Sequence, residues 1–326
     1  MNDEPLILIL MASYNGEKYI EAQLDSVINQ TFRNWRLLIR DDGSTDLTLE
    51  IVKKYLKKNG KINLAINEGE EHGSVANFAA LFDLARKDLE AAYFMFCDQD
   101  DVWLPEKIEA SLNQLQKMED AHPNAPVLVY GSLQMISENG EEINQAIKLR
   151  PQLGFKQTLV QNFAFGCTMM FNKSLLDLVR VIPRTSVNHD HWVALFTSAF
   201  GYSGFITEPM IKYRQHQQNV TSQGSSFQKR YGRFTKGLND QLLNYKRQMT
   251  MLIQFNQNFG AQLKNNDKQL LTEYLNGYYK GRWAMLYQIL KHKIFKLTFF
   301  QNVGMVYMIV FFYAQFKQIE SDMLNQ

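Results

Sequence analysis

Two patterns alternate along the first hundred residues. Nearly unbroken apolar runs, Leu6–Ser13 (LILILMAS), Trp35–Asp41 (WRLLIRD), Ile62–Ile66 (INLAI) and Ala92–Asp98 (AYFMFCD), are separated by YIEAQLDSVINQ, LTLEIVKKYLKK and SVANFAALFDLARK. Strands apolar on both faces belong in a parallel sheet covered on both sides, and the intervening segments carry the period of amphipathic helices. The β-α-β-α order predicts an α/β doubly wound sheet, whose ligands bind beyond the carboxyl ends of the strands. From Pro126 to Glu208, VLVYGSLQMI, FGCTMMFNKSLLDLV and HDHWVALFTSAFGYSGFI continue that domain. After Tyr213 a polar, Ser/Gln-rich stretch leads through Gly224–Ser226, an expected linker, into the basic-aromatic run FQKRYGRF and then into helical patterning alone. The expected division is a domain over 1–222 and a helical region over 227–326.

Within the helical region, Leu297–Phe316 runs 20 residues without a charge and follows the basic KHKIFK. That length meets the minimum for a membrane span, but Gln301, Asn302 and Gln315 interrupt it and aromatics crowd its second half. A helix lying in the membrane interface, with Lys291, Lys293 and Lys296 towards lipid phosphates, accounts for both features and predicts peripheral membrane contact. A core helix or a homodimer helix is the other reading.

Composition narrows the picture little: 326 residues, 45% hydrophobic and 21% charged, describe an ordinary globular protein. The formal net charge of +2 gives no global pull towards nucleic acid. Cys97 and Cys167, the two cysteines, lie in apolar runs and show no metal or redox spacing, which predicts buried free thiols in a reducing cytoplasm. The opening MNDEPLILIL carries acids where a secretory signal carries basic residues, so no export is expected.

The polar residues concentrate at the predicted strand ends: SYNGE after the first strand, DDGSTD after the second, CDQDD after the fourth. Asp98, Asp100 and Asp101 stand so close in sequence that something must offset their repulsion. At a strand end, residues i and i+2 share a side, so Asp98 and Asp100 can face one site, and short hard carboxylates suit Mg2+ or Mn2+. A helix cap from Asp98 or Asp101 is the plainer reading. Asp41 or Asp42 in RDDGSTD can accept from a base N–H or a ribose hydroxyl, although Gly43 and the residues after it also read as a turn and cap. No G-x-G-x-x-G or Walker loop is present. In NHDHW, Asp190 serves either as a helix cap or as a general base with Trp192 as a sugar-stacking face. In YRQHQQN, His216 is either a plain surface or core residue or can complete a metal site, and Arg214 can instead reach a diphosphate.

Taken together, ASYNGEKYI, QLDSVINQT, LLIRDDGSTD, CDQDDVWLPEK, GCTMMFN, HDHW and YRQH resemble, in order and spacing, the family-two GT-A-fold glycosyltransferases over Pro5–Val220. They are most similar to bacterial rhamnosyltransferases that build cell-wall polysaccharides and O-antigens. The resemblance implies a Rossmann-like doubly wound mixed sheet with a C-terminal helical extension. It implies that Asp98-Gln99-Asp100 is the DxD motif, with Asp100 a metal ligand and Asp98 on ribose or metal. It further implies that Ala12, Ser13 and Tyr14, with Asp41 or Asp42, hold the pyrimidine nucleoside, and that Asn77 lies near the nucleotide. Asp190 matches the catalytic base and His216 a metal ligand. The family pattern H-D-W-W or H-D-W-Y is altered here, since His191 takes the third place before Trp192, which leaves the acceptor or sugar contact at these two residues open. The implied activity is inverting, metal-dependent transfer of L-rhamnose from dTDP-L-rhamnose to a lipid-linked or growing saccharide acceptor at the inner face of the cell membrane. A UDP-hexose donor and a non-catalytic nucleotide-sugar-binding subunit are the rival readings.

Overall fold

A computed structural model of the chain describes residues 4–143, 149, 151–152, 154–216 and 230–324. The expected linker Gly224–Ser226 lies outside the described residues. The elements in chain order are β1 (Ile7–Ser13), α1 (Ile20–Ile28), β2 (Trp35–Asp41), α2 (Thr48–Lys58), β3 (Ile62–Ile66), α3 (Ser74–Ala85), β4 (Tyr93–Asp98) and β5 (Val102–Trp103). Then come α4 (Lys107–Ala121), β6 (Val127–Gly131), β7 (Gln134–Ile136), α5 (Phe155–Thr158), β8 (Met170–Asn172), α6 (Lys173–Val179), α7 (His189–Phe200), β9 (Tyr202–Ile206) and β10 (Ile211–Arg214). Four long helices follow: α8 (Arg230–Phe259), α9 (Asn265–Lys280), α10 (Arg282–His292) and α11 (Phe299–Leu324).

The chain divides into two compact units. The first comprises Met1–Leu153, Phe163–Arg184 and Asn188–Ser222. Its main sheet has seven strands in the order β3-β2-β1-β4-β8-β6-β9. The first four are mutually parallel, whereas β8 runs antiparallel to both β4 and β6, so the doubly wound sheet is mixed. Ile7, Leu8, Ile9, Leu10 and Met11 are all buried, which explains the unbroken apolar run: consecutive side chains enter opposite faces, and both faces are covered. In-register pairing sets Ser13 beside Asp41 and Ala12 beside Asp98, so the polar loops after β1, β2 and β4 leave the sheet along one edge. A second sheet, β5-β10-β7, joins strands of two to four residues across about a hundred positions of sequence and carries Arg214 back to the acidic run.

The second unit comprises Gly154–Asn162, Thr185–Val187 and Gln223–Gln326. The two short segments are tied in by polar bonds: Gln248 Nε2 donates to Leu159 O (2.6 Å), the Leu297 N–H to Gln161 Oε1 (3.0 Å) and Thr185 Oγ1 to Gln254 Oε1 (3.2 Å). Leu271, Tyr274 and Tyr278 of α9, Met285 and Ile289 of α10, and Met305, Met308 and Ile309 of α11 are buried. Among the described residues, no helix is long and apolar enough to cross a membrane.

Candidate active site

The loops after β1 and β2 are stitched together. The Asn15 N–H donates to Ser44 Oγ (2.9 Å), Gly16 N–H to Thr48 Oγ1 (2.7 Å) and Glu17 N–H to Asp46 Oδ2 (3.1 Å). In return, Thr45 N–H donates to Asn15 Oδ1 and Leu47 N–H to Glu17 Oε2, both at 2.9 Å. Burial raises Asp46, but its hydrogen bonds from Thr48 and the backbone outweigh that and leave it below the usual carboxylate range. Gln99 latches this layer to the acidic run. Its Oε1 accepts from the Tyr14 N–H (2.9 Å) and its Nε2 donates to Tyr14 O (2.8 Å). A Cβ at Gly16 would stand 2.2 Å from Gln99 Oε1, so a larger residue there would displace the Gln99 side chain from the latch.

The three acids of the run have three different surroundings. Asp101 is fully buried; its Oδ1 accepts from the Arg214 N–H (3.1 Å), which straps β10 to the run. Burial, then the charges of Asp100 and Asp98, push the Asp101 carboxyl well up. Neither Asp98 nor Asp101 caps the following helix, since α4 starts without a side-chain cap bond. Asp100 faces His216, whose Nε2 lies 2.7 Å from Asp100 Oδ2. Asp98 is half-buried, and burial, then Asp100, then Asp190, push it up to about 8. That order places Asp190 within electrostatic reach of Asp98.

Asp190 sits in the first turn of α7, where its Oδ2 accepts from the Gly166 N–H (3.0 Å). Gly166 opens a 3-10 turn, Gly166–Thr168, and a Cβ there would approach His189 Nε2 to 2.5 Å and Asp190 Cβ to 3.3 Å. His189 itself is buried, stacked on Phe78 at 3.8 Å and edge-on to Phe96 at 4.7 Å. Burial pulls it down to about 3, so it is a neutral packing ring.

Several residues singled out in the sequence have structural work in this geometry. Asp41 accepts from the N–H groups of Gly43 and Ser44 and from the hydroxyls of Ser44 and Ser13. Asp42 accepts from Asn67 Nδ2 and the Gly73 N–H, both at 2.7 Å. Asn77 donates to Ser13 O and Arg40 O and accepts from Arg40. All three are buried and brace the loops, whereas Tyr14 stands 53% exposed. Trp192 is 2% exposed, with its indole N–H on Val181 O (2.8 Å) and its ring against Phe196. The expected sugar-stacking face is therefore packed into the core, and His191 is buried as well. Arg214 is not presented to a diphosphate either: its Nε donates to Asp100 O (2.9 Å) and its NH1 to Glu138 O (2.8 Å).

Tyr19 and Glu138 went unnoticed in the sequence. The Tyr19 ring stacks on His216 (4.8 Å between centroids), lies under the Arg214 guanidinium (5.2 Å) and donates its hydroxyl to Glu138 Oε1 (2.9 Å). The contacts span more than a hundred residues, so no local pattern could have announced them. The buried free thiols were expected and are present. Asp98, Asp101 and Cys167 each bring a ligand atom within 4.8 Å of the others, but burial keeps Cys167 a neutral thiol, a poor partner for a hard cation. Asp100 and His216, in contact at 2.7 Å, offer donor atoms better suited to such an ion than the thiol.

Residues 8–179 match the profile described as "Glycosyl transferase family 2", more than half of the chain. The dTDP-rhamnosyl transferase RfbG of Shigella flexneri is 30% identical over 235 residues, 68% of this chain and 77% of that protein. The UDP-Glc:alpha-D-GlcNAc-diphosphoundecaprenol beta-1,3-glucosyltransferase WfgD of Escherichia coli is 29% identical over 225 residues, 68% and 81% of the two chains. Among solved structures, the mannosyltransferase PcManGT of Pyrobaculum calidifontis, in complex with GDP-Man and Mn2+, superposes with a TM-score of 0.54 at 14% identity, covering 98% of this chain and 85% of that one. The architecture is that of the GT-A glycosyltransferases, with a helical C-terminal region. The chain belongs to glycosyl transferase family 2.

Proposed function

We propose that this glycosyltransferase moves L-rhamnose from dTDP-L-rhamnose, with inversion, onto a lipid-linked or growing cell-surface saccharide, working peripherally at the inner membrane face. The observation that supports the reading is that His216, from beyond β10, meets Asp100 at 2.7 Å, while Asp98 at the end of β4 feels the charges of both Asp100 and Asp190 of α7. The RfbG relationship supports the donor.

In this reading the backbone around Ala12, Ser13 and Tyr14 receives the nucleoside, with the exposed Tyr14 ring beside the base. Asp41, Asp42 and Asn77 keep the two loops in shape, and Gln99 fixes the Tyr14 peptide against the acidic run. Asp98, Asp100 and His216 would hold Mg2+ or Mn2+. The donor chemistry fits: two short carboxylates and an imidazole, with Asp98 raised by burial and then by the charges of Asp100 and Asp190. When bound, the ion offsets charge developing on the leaving diphosphate. Asp190 takes the proton of the acceptor hydroxyl as that oxygen attacks the anomeric carbon, and the Gly166 N–H holds its carboxylate in place. The breaking glycosidic bond carries its electron pair to the diphosphate through an oxocarbenium-like transition state.

A donor panel on the purified chain, scored by nucleoside diphosphate release with Mg2+ or Mn2+, tests this. Turnover with dTDP-rhamnose, lost on chelation, is expected. The WfgD relationship favours a second reading, in which a UDP-hexose is the donor; turnover with UDP-glucose alone would establish it and sink the rhamnosyl assignment. No turnover with any donor, alongside nucleotide binding, would mark a non-catalytic subunit.

A further inference from the structure

Two helices of the second unit keep apolar residues where a finished surface would be polar. On α10, Met285 and Ile289 are buried, yet Trp283, Tyr287 and Leu290, one helical stripe, are 70%, 61% and 64% exposed. On α11, Met305, Met308 and Ile309 are buried while Phe299, Phe300, Val303, Tyr307 and Phe311 stay exposed. The Arg282 guanidinium donates to Val310 O (2.6 Å), so the two helices lie side by side. Neighbouring helices whose outer apolar stripes are left uncovered imply a partner phase.

Charge says which phase. Between Glu273 and Glu320 the sequence has no Asp or Glu, while Lys280, Arg282, Lys291, Lys293, Lys296 and Lys317 all fall there. Glu273 is neutralised in place by Lys291 and His292. Lys280 and Arg282 are exposed beside Trp283 at one end of α10, and Lys293 is exposed beyond the other end. A second copy of this face would bring cations against cations, whereas an anionic surface matches both the aromatics and the basic flanks. No described helix can cross a bilayer. We infer that the exposed stripes of α10 and α11 form a docking face that lies in the headgroup region of an anionic lipid bilayer, with Trp283, Tyr287, Phe299 and Phe300 as its anchors. The inference rests on the peripheral membrane reading above and gives it a site.

The chain carries its own probe. Trp35, Trp103 and Trp192 are 2–3% exposed, and Trp283 is the solvent-facing tryptophan. Vesicles containing phosphatidylglycerol should shift the emission of the full chain to the blue, brominated lipids should quench it, and Trp283→Phe should abolish both signals. Pure phosphatidylcholine vesicles should do far less. Lys280→Gln with Lys293→Gln should weaken partitioning roughly thirtyfold, about fivefold per charge. Phe299→Ser with Phe300→Ser should weaken it without disturbing the circular dichroism. Unchanged Trp283 emission on anionic vesicles would overturn the inference. So would a lipid-free dimer in which Trp283 is already blue-shifted and shielded from acrylamide. Turnover on a water-soluble acceptor should survive all these substitutions, so a failed vesicle experiment and a failed donor panel are separate results.

Discussion

The strand-edge loops of the first unit and the α10–α11 face of the second differ in how their side chains are employed. At the edge, Asp41, Asp42, Asn77 and Gln99 each make two or more hydrogen bonds, and Gly16 and Gly166 sit where even a methyl group would collide with a neighbour. On the helical face, the large residues stay largely exposed, and their ring contacts are mainly with one another. One region is specified by direct contacts inside the protein and the other by what lies outside it. Substitutions should therefore separate the two sharply: fold and turnover are sensitive at the edge, and association alone is sensitive on the face.

The largest contrast should come from Asp190→Asn, which keeps the shape and removes the proposed base. Transfer is expected to fall roughly a thousandfold, while nucleotide binding, followed by calorimetry, stays within a few-fold. If the residual rate stays close to the parent, Asp190 is not the base. Gly166→Ala comes next. Its Cβ would press on His189, already wedged against Phe78, at a cost of about 1–3 kcal/mol in urea unfolding. A neutral result would mean the 3-10 turn yields freely. Gln99→Ala removes both bonds to Tyr14, worth about 1–2 kcal/mol together, and should raise the donor KM. A KM equal to the parent's would show that Tyr14 holds its position without the latch.

On the face, the effects should be slight. Phe299→Ser is expected to move stability by no more than about 0.5 kcal/mol; a larger loss would mean the ring packs inside the protein. Smallest of all is the Glu273 contact. Hydrogen bonds from Lys291, then Gln269, then His292, hold its carboxyl down to about 2. A depressed carboxylate contributes stability above its unfolded value and loses it as pH falls through the folded one. The melting difference between the parent and Glu273→Gln should thus be present at neutral pH and vanish towards about pH 2, and a difference that grew on acidification would contradict the pairing.

How legible all this was depended on range in sequence. The bounds of β2 and β3 were readable to the residue, and those of β1 and β4 to within one, because a buried parallel strand writes itself as a continuous apolar run. The loops at the strand ends followed, since register alone sets Ser13 beside Asp41 and Ala12 beside Asp98. The β5-β10-β7 sheet was not legible: strands of two to four residues carry no period, and their pairing spans the domain. Trp192 misled because an aromatic after an acid looks alike whether it meets a sugar or the core, and only the direction of α7 decides. The stripe on α10 was hidden for the opposite reason. Trp283, Tyr287 and Leu290 share their helix with buried Met285 and Ile289, so the pattern reads as core.

The hold on Asp190 has one more consequence. The donor that fixes its carboxylate is the main-chain N–H of Gly166, and every residue except proline supplies that group. Side-chain drift elsewhere around the site therefore leaves the hold on Asp190, the proposed base, in place, provided the glycine stays.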